Sequence, residues 1–223
     1  MSVVGIFAAT AYLNQWKVKI YYEHYFDDHS QMFFQYGRWK DGHIGLEITF
    51  PKNRFIDTFA YEGLGTKDQT GPMLYDSFWG EFEEQISAKD NYYNHYLYQG
   101  WQHWGMGIGN PLLPGPIYNK NGQITFISNR VLAHHIGFCG SPCQSLSYRM
   151  LLSYSRHWGT YDNPLNEIKK QFNSLFEVTY APQQLKGWSF TVSGAMDRGS
   201  MLGNNYGGML VIRKQGIIKS GNK

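Results

Sequence analysis

The chain has 223 residues, of which 17% are charged and 17% are aromatic, and its formal net charge is +3. The charged share lies below the value of about 25% that is usual for a soluble domain. The mild charge and the lack of any run of Lys or Arg argue against nucleic acid as a partner. No stretch reaches the roughly 20 apolar residues of a membrane helix, which argues against a helical membrane protein.

The amino-terminal residues 1–13 are apolar but lack the basic region and small-residue cleavage site of a secretion signal, so they are predicted to belong to the fold. Residues 16–26 then alternate with a period of two, which predicts a β-strand. Its apolar face holds Trp16, Val18, Ile20, Tyr22 and Phe26. Its polar face holds Lys17, Lys19 and Glu23.

The same alternation recurs along the chain, in residues 43–50, 145–158, 173–180, 187–197 and 206–214. Leu46, Ile48, Val192 and Leu210 continue the apolar face, while Glu47, Arg149 and Glu177 continue the polar face. Many long alternating strands with few helices between them predict an all-β, antiparallel fold of about nine to eleven strands in this chain.

Two architectures produce this pattern: a soluble sandwich with its apolar face inward, and an outer-membrane β-barrel with its apolar face toward lipid. Strand length favours the barrel, because a tilted membrane crossing needs about 9–11 residues. Aromatic residues near the strand ends are typical of an interfacial girdle. Short turns at 13–15 and 182–187, with long loops at 27–42 and 64–122, have the same implication. We therefore predict a transmembrane β-barrel over residues 1–223, with a soluble all-β carbohydrate-binding module or glycosidase as the alternative.

Residues 64–122 form the longest interruption of the strand pattern and are predicted to be a folded loop or plug insertion. Ser77 is a candidate N-cap for a short helix within it. An aromatic block follows at residues 92–104, where rings fall without any period. Residues 123–138 are predicted to resume β-structure.

The aromatic block supplies the candidate binding residues. Tyr92, Tyr93, Tyr96, Tyr98, Trp101 and Trp104 would stack on the apolar faces of sugar rings. Asn91, Asn94, Gln99, Gln102 and His103 would reach the sugar hydroxyls. The alternative is that these rings only pack the insertion against the wall of the barrel.

Neither a metal site nor a catalytic centre is predicted. Cys139 and Cys143 are a possible disulfide, with free thiols as one alternative and a metal site with His134 and His135 as another. The carboxylates that a glycosidase would need are explained more simply as a solvated helix face. These are Asp76, Glu81, Glu83, Glu84 and Asp90. No nucleophile elbow is present, so the chain is not expected to be an enzyme or to bind a cofactor.

Several long strings, in the right order, resemble the Wzi-type capsule-assembly outer-membrane proteins. They are "IYYEHYFDDHS", "DGHIGLEITFP", "QTGP", "DNYYNHYLYQGWQHWGMGIGNPL", "SNRVLAHHIGF" and "NNYGGMLVIRK". The resemblance implies an outer-membrane barrel of about eighteen strands. It also implies a lectin-like role, in which the protein binds capsular polysaccharide and helps assemble or attach the capsule at the cell surface. With about half that number of strands, this chain is expected to be the carboxy-terminal half of such a protein, surrounded by outer-membrane lipid. The missing strands would come from the amino-terminal part of a longer chain or from another chain.

Overall fold

A computed structural model describes residues 3–26, 41–52, 55–69, 90–95, 97 and 99–216. In these ranges the chain is all-β, with eleven strands and one short 3-10 turn, Pro116–Tyr118. No helix in these ranges is long and apolar enough to cross a membrane.

Nine of the strands are long. They are β1 (Val3–Leu13), β2 (Trp16–Phe26), β3 (Gly42–Thr49), β4 (Thr58–Gly65), β7 (Val131–Cys143), β8 (Leu146–Gly159), β9 (Pro164–Tyr180), β10 (Trp188–Gly199) and β11 (Asn205–Lys214). The other two, β5 (Gln102–His103) and β6 (Met106–Gly107), have two residues each.

The nine long strands form one antiparallel sheet in the order β1-β2-β3-β4-β7-β8-β9-β10-β11. Each strand lies beside its neighbour in the chain, except that the segment between β4 and β7 is inserted between two adjacent strands. Strands β5 and β6 pair with each other inside that insertion. The predicted all-β, antiparallel fold is therefore confirmed, and the strand count lies in the predicted range.

The register gives the sheet two chemically different faces, and the predicted assignment of side chains to them is confirmed. One face, called the apolar face below, carries a row in which Ile20, Leu46, Tyr61, Ile136 and Leu152 are successive cross-strand neighbours. Val18 and Ile48 are paired on it, as are Val192 and Leu210. Because side chains alternate along a strand, Lys19 and Glu47 lie on the opposite, polar face.

Aromatic rings collect on the apolar face near the short connections at 14–15, 144–145 and 181–187. The rings of Trp16 and Phe50 lie 5.0 Å apart, and those of Trp188 and Phe190 are stacked at 6.3 Å. Phe190 also lies directly opposite Tyr180 on the next strand. The predicted grouping of rings at strand ends is confirmed at this end of the sheet.

A row of mostly polar side chains crosses the polar face at mid-height. Its members from β2 to β10 are successive cross-strand neighbours: Tyr21, Gly45, Glu62, His135, Ser153, Asn173 and Asp197.

Hydrogen bonds connect several members of this row. The Tyr21 hydroxyl donates to Glu62 Oε1 across Gly45. His135 Nδ1 lies 2.7 Å from Ser153 Oγ, and Asn173 Nδ2 donates to Asp197 Oδ1 at 2.6 Å. Through these bonds the polar side chains of the row satisfy one another.

The Tyr21 ring occupies the space over Gly45. A Cβ atom added at Gly45 would overlap the Tyr21 ring. A glycine at this position therefore lets the ring lie flat along the sheet and reach Glu62 two strands away.

Some predicted boundaries are wrong. Residues 64 and 65 belong to β4, and residues 123–130 do not form a strand, so the insertion runs over 66–130 rather than 64–122. Strand β9 begins at Pro164, well before the predicted start at residue 173. The helix predicted from Ser77 lies outside the described residues, as does nearly all of the loop predicted at 27–42.

Cys139 and Cys143 are free thiols rather than a disulfide. Both lie in β7, four positions apart, with a register shift between Gly140 and Cys143. Because a strand rises about 3.3 Å per residue, the two Cα atoms lie well beyond the roughly 7 Å that a disulfide can span. His134 and His135 lie on opposite faces of the sheet. His134 contacts Tyr61 on the apolar face, and His135 contacts Ser153 on the polar face.

Candidate functional site

The insertion leaves and rejoins the sheet through a buried clamp. The Thr66 N–H donates to the Val131 carbonyl at 2.8 Å, and the Val131 N–H donates back to Thr66 Oγ1 at 3.0 Å. Thr66 Oγ1 also donates to the Asn129 carbonyl at 2.6 Å. Thr66 and Asn129 are fully buried. These bonds hold the two ends of the insertion together between β4 and β7.

A buried carboxylate ties the first part of the insertion to the start of β3. Asp41 accepts hydrogen bonds from the backbone N–H groups of Asp68 and Gln69 and from the Tyr92 hydroxyl, the last at 3.2 Å. Burial raises the pKa of Asp41 to about 6, although the two N–H groups act to lower it. Tyr92 is 2% exposed, and its ring meets that of Tyr25 edge-on.

A small apolar cluster joins the insertion to the loop end of the polar face. It consists of Leu64, Leu113, Val131 and Ala133, against which Tyr25, Tyr93 and Leu112 pack. The described part of the insertion therefore contacts the sheet through the loop end of its polar face.

A group of rings forms the centre of the insertion. The Tyr93 ring lies 5.1 Å from that of Phe126 and 5.4 Å from that of Trp101. The Tyr93 hydroxyl accepts the Asn110 N–H at 3.2 Å, and burial raises the pKa of Tyr93. Trp101 is 38% exposed, so one part of its ring packs inward and another faces outward.

Next to this group, β5 and β6 form a hairpin whose tip is Trp104–Gly105. Both residues have positive φ, 55° and 79°, as a tight hairpin turn of the primed type requires. The Trp104 side chain is 83% exposed, and the His103 ring meets it edge-on at 6.1 Å. The hairpin thus presents an indole ring beyond the body of the insertion.

An open cleft of about 690 Å³ is lined in part by Phe126. Three chain segments form it: the start of the aromatic block, residues 121–127, and the β8–β9 turn. Its lining residues are Asn91, Asn94, His95, Gln99, Asn121, Gln123, Thr125, Phe126, Ile127, Thr160, Asp162 and Asn163. Six of these twelve carry side-chain amides, so the cleft is rich in paired donors and acceptors.

Two of these amides brace the cleft wall. Asn94 donates to the Phe126 carbonyl at 2.9 Å and accepts the Phe126 N–H at 2.8 Å. Asn94 also donates to Asn91 Oδ1, which accepts from Asn129 Nδ2 as well. This network fixes residues 91–94 against residues 126–129.

The structure separates the predicted binding residues into distinct environments. Asn91, Asn94 and Gln99 line the cleft, whereas Trp101, His103 and Trp104 lie on the neighbouring hairpin side. Tyr92 and Tyr93 pack within the fold, which is the alternative role foreseen for the rings. Tyr96 and Tyr98 lie outside the described residues. A sugar-binding role for the exposed rings stays a prediction.

The sequence analysis did not predict the cleft residues that lie outside the aromatic block. Asn121, Gln123, Thr125 and the turn 160–163 come from segments that are distant in sequence. Their only signal is composition, because "NKNGQ" and "TYDN" are polar strings at loop positions.

A comparison of the chain with protein-family models, curated proteins and solved structures finds no match. The residues and their geometry therefore carry the functional inference.

Proposed function

We propose that this chain forms part of an outer-membrane β-barrel that binds capsular polysaccharide and helps assemble or attach the capsule at the cell surface. The observation that carries the proposal is the two-faced sheet. One face exposes large apolar side chains along most of its strands, and the other holds a hydrogen-bonded polar row and contacts the insertion at its loop end.

The apolar face supports a location in lipid. Ile20, Ile44, Phe176, Val192 and Leu210 are all exposed on it. A soluble sheet would cover such side chains, since contiguous exposed apolar surface of this extent is rare on soluble monomers. A lipid-facing barrel wall leaves them uncovered by protein and places aromatic residues near the membrane interface.

The barrel requires further strands. In the described part of the chain β1 and β11 are the two edges of the sheet, and open edges are not tolerated in a bilayer. We propose that strands from the amino-terminal part of a longer chain pair with these edges and close the barrel.

The insertion supports the polysaccharide part of the proposal. Trp104 is almost fully exposed on a hairpin fixed to the ring group of Tyr93, Trp101 and Phe126. Indole rings held on a rigid support offer flat apolar area to sugar faces at little entropic cost. Trp101 and Trp104 would form the stacking platform.

The test uses the full chain in its own outer membrane. The Trp101→Ala, Trp104→Ala double variant should release capsule into the medium, because loss of a central aromatic anchor costs about 2 kcal/mol or more of binding. Tyr118→Ala is the matched control, since it removes another exposed ring from the same insertion.

Folding is checked in the same samples by heat-modifiable migration on a gel. Normal capsule retention in the folded double variant would refute the platform. Recovery of the protein as a stable monomer without detergent would refute the barrel and favour a soluble carbohydrate-binding module.

A further inference from the structure

We propose that the amide-lined cleft beside Phe126 is a subsite for a neutral sugar unit, and that it discriminates against uronic acids. The inference rests on the proposed function and deepens it, because it assigns the chemical class of the sugar and a site separate from the tryptophan platform.

The size and shape of the cleft suit one or two sugar rings. Its volume of about 690 Å³ lies within the usual range of small-molecule sites. Ile127, which is 36% exposed, provides apolar surface in a lining that is otherwise mostly polar. A pyranose has the matching character, with apolar C–H faces and a hydroxylated edge.

Two side-chain amides of the lining, those of Gln123 and Asn163, make no hydrogen bond within the described part of the chain. Both residues are exposed, so their amides are accessible to a ligand. Both donors and acceptors are thus offered, which is what a hydroxyl or an N-acetyl group needs.

The charge of the cleft determines the sugar class. Among the described residues that line it, Asp162 carries the one carboxylate and none is Lys or Arg. The nearby guanidinium of Arg130 is engaged elsewhere, because it stacks 3.8 Å over the Tyr161 ring and donates to the Lys67 carbonyl at 3.0 Å. Within this described lining a uronate would therefore meet a like charge and no Lys or Arg, whereas a neutral sugar would meet several amides.

The experiment measures binding of tetrasaccharides to the purified full chain in detergent. The neutral probes are tetramers of glucose and of N-acetylglucosamine, and the acidic probe is the tetramer of galacturonic acid. The parent protein should bind at least one neutral probe about tenfold or more tightly than the acidic probe. Equal binding of both classes, preference for the acidic probe, or no binding of either neutral probe would overturn the proposal.

Two cleft variants locate the site. The Gln123→Ala, Asn163→Ala double variant should weaken neutral binding about tenfold or more, since each lost hydrogen bond contributes a factor of roughly five. Asp162→Lys should raise the affinity for the acidic probe several-fold while retaining neutral binding. Gln183→Ala is the matched control, because it removes an exposed amide at the opposite end of the sheet, where Gln183 bonds only Gln144 among the described residues.

Different results would refute the cleft proposal and the platform proposal. If the cleft double variant binds the neutral probe like the parent, the cleft proposal is wrong even where the Trp101, Trp104 double variant releases capsule. If the tryptophan variant retains capsule while the cleft variant loses probe binding, the platform is wrong and the cleft stands. Heat-modifiable migration shows that each variant is folded.

Discussion

A single pair of substitutions on β11 distinguishes a lipid-facing sheet from a water-facing one. Leu210 and Met209 are adjacent, both apolar and both more than half exposed, at 65% and 56%. They lie on opposite faces, because Leu210 is opposite Val192 on the apolar face and Met209 is opposite Ser193 on the polar face. Leu210→Arg and Met209→Arg therefore place the same charge at nearly the same height on the two faces.

The two environments predict different costs. Full burial of such a side chain contributes about 1.5–3 kcal/mol, so in water the loss of the buried third of Leu210 would cost only about 0.5–1 kcal/mol. Met209 would lose a similar amount, and the two variants would be nearly equal in stability. In a bilayer, Arg on the lipid face near the midplane costs about 2–4 kcal/mol, while a substitution toward the interior costs little.

The assay is folding of the full chain into lipid vesicles over a urea series, followed by heat-modifiable migration. We expect Leu210→Arg to lower the free energy of unfolding by about 2 kcal/mol or more relative to Met209→Arg. Equal values for the two variants would refute the lipid-facing assignment. A larger loss for Met209→Arg would mean that the polar face is the packed one.

Two further predictions concern the polar face and the insertion. Gly45→Val should destabilise the sheet by about 1–3 kcal/mol, because the Tyr21 ring must leave its position over Gly45 and lose its hydrogen bond to Glu62. In a double-mutant cycle, adding Tyr21→Ala should recover part of this loss. Strictly additive effects of the two substitutions would contradict the contact. The pKa of Asp41 is raised to about 6, against 3.8 in the unfolded chain, so the folded state binds the Asp41 proton more tightly. The stability that protonated Asp41 contributes to the folded state is therefore complete below about pH 4 and is lost as pH rises through 6. The stability difference between the parent and Asp41→Asn should therefore change over that window by up to about 3 kcal/mol, and a difference that stays constant with pH in denaturant unfolding would refute the assignment.

The repeating parts of the fold were predictable from sequence because their cause is local. Alternation along Trp16–Phe26 and the later strands indicates which side chains share a face. A shift of the pairing register by one residue would move every side chain of a strand to the other face. Strand ends were less accurate. In β9 the segment 164–172 carries Lys169 and Lys170 among polar residues, which obscures its period although the backbone pairing continues.

The cleft could not be predicted, because its walls meet only through tertiary structure. Asn94 reaches Phe126 across 32 positions, and the turn at residues 160–163 arrives from a different hairpin. The aromatic block predicted binding residues among its rings, but two of them, Tyr92 and Tyr93, pack within the fold. The amides between those rings indicated the cleft only in part, since their partners lie elsewhere in the chain.

The clamp formed by Thr66, Asn129 and Val131 allows the insertion to change in sequence independently of the sheet. Because both ends of residues 66–130 are held at neighbouring strands, the sheet register does not depend on what lies between them. Closure of a loop of this length costs only about 2–3 kcal/mol more than a tight turn, since the penalty grows with the logarithm of length. The insertion can therefore gain, lose or exchange sequence at modest cost, which would let related chains change their ligand while they keep the same wall.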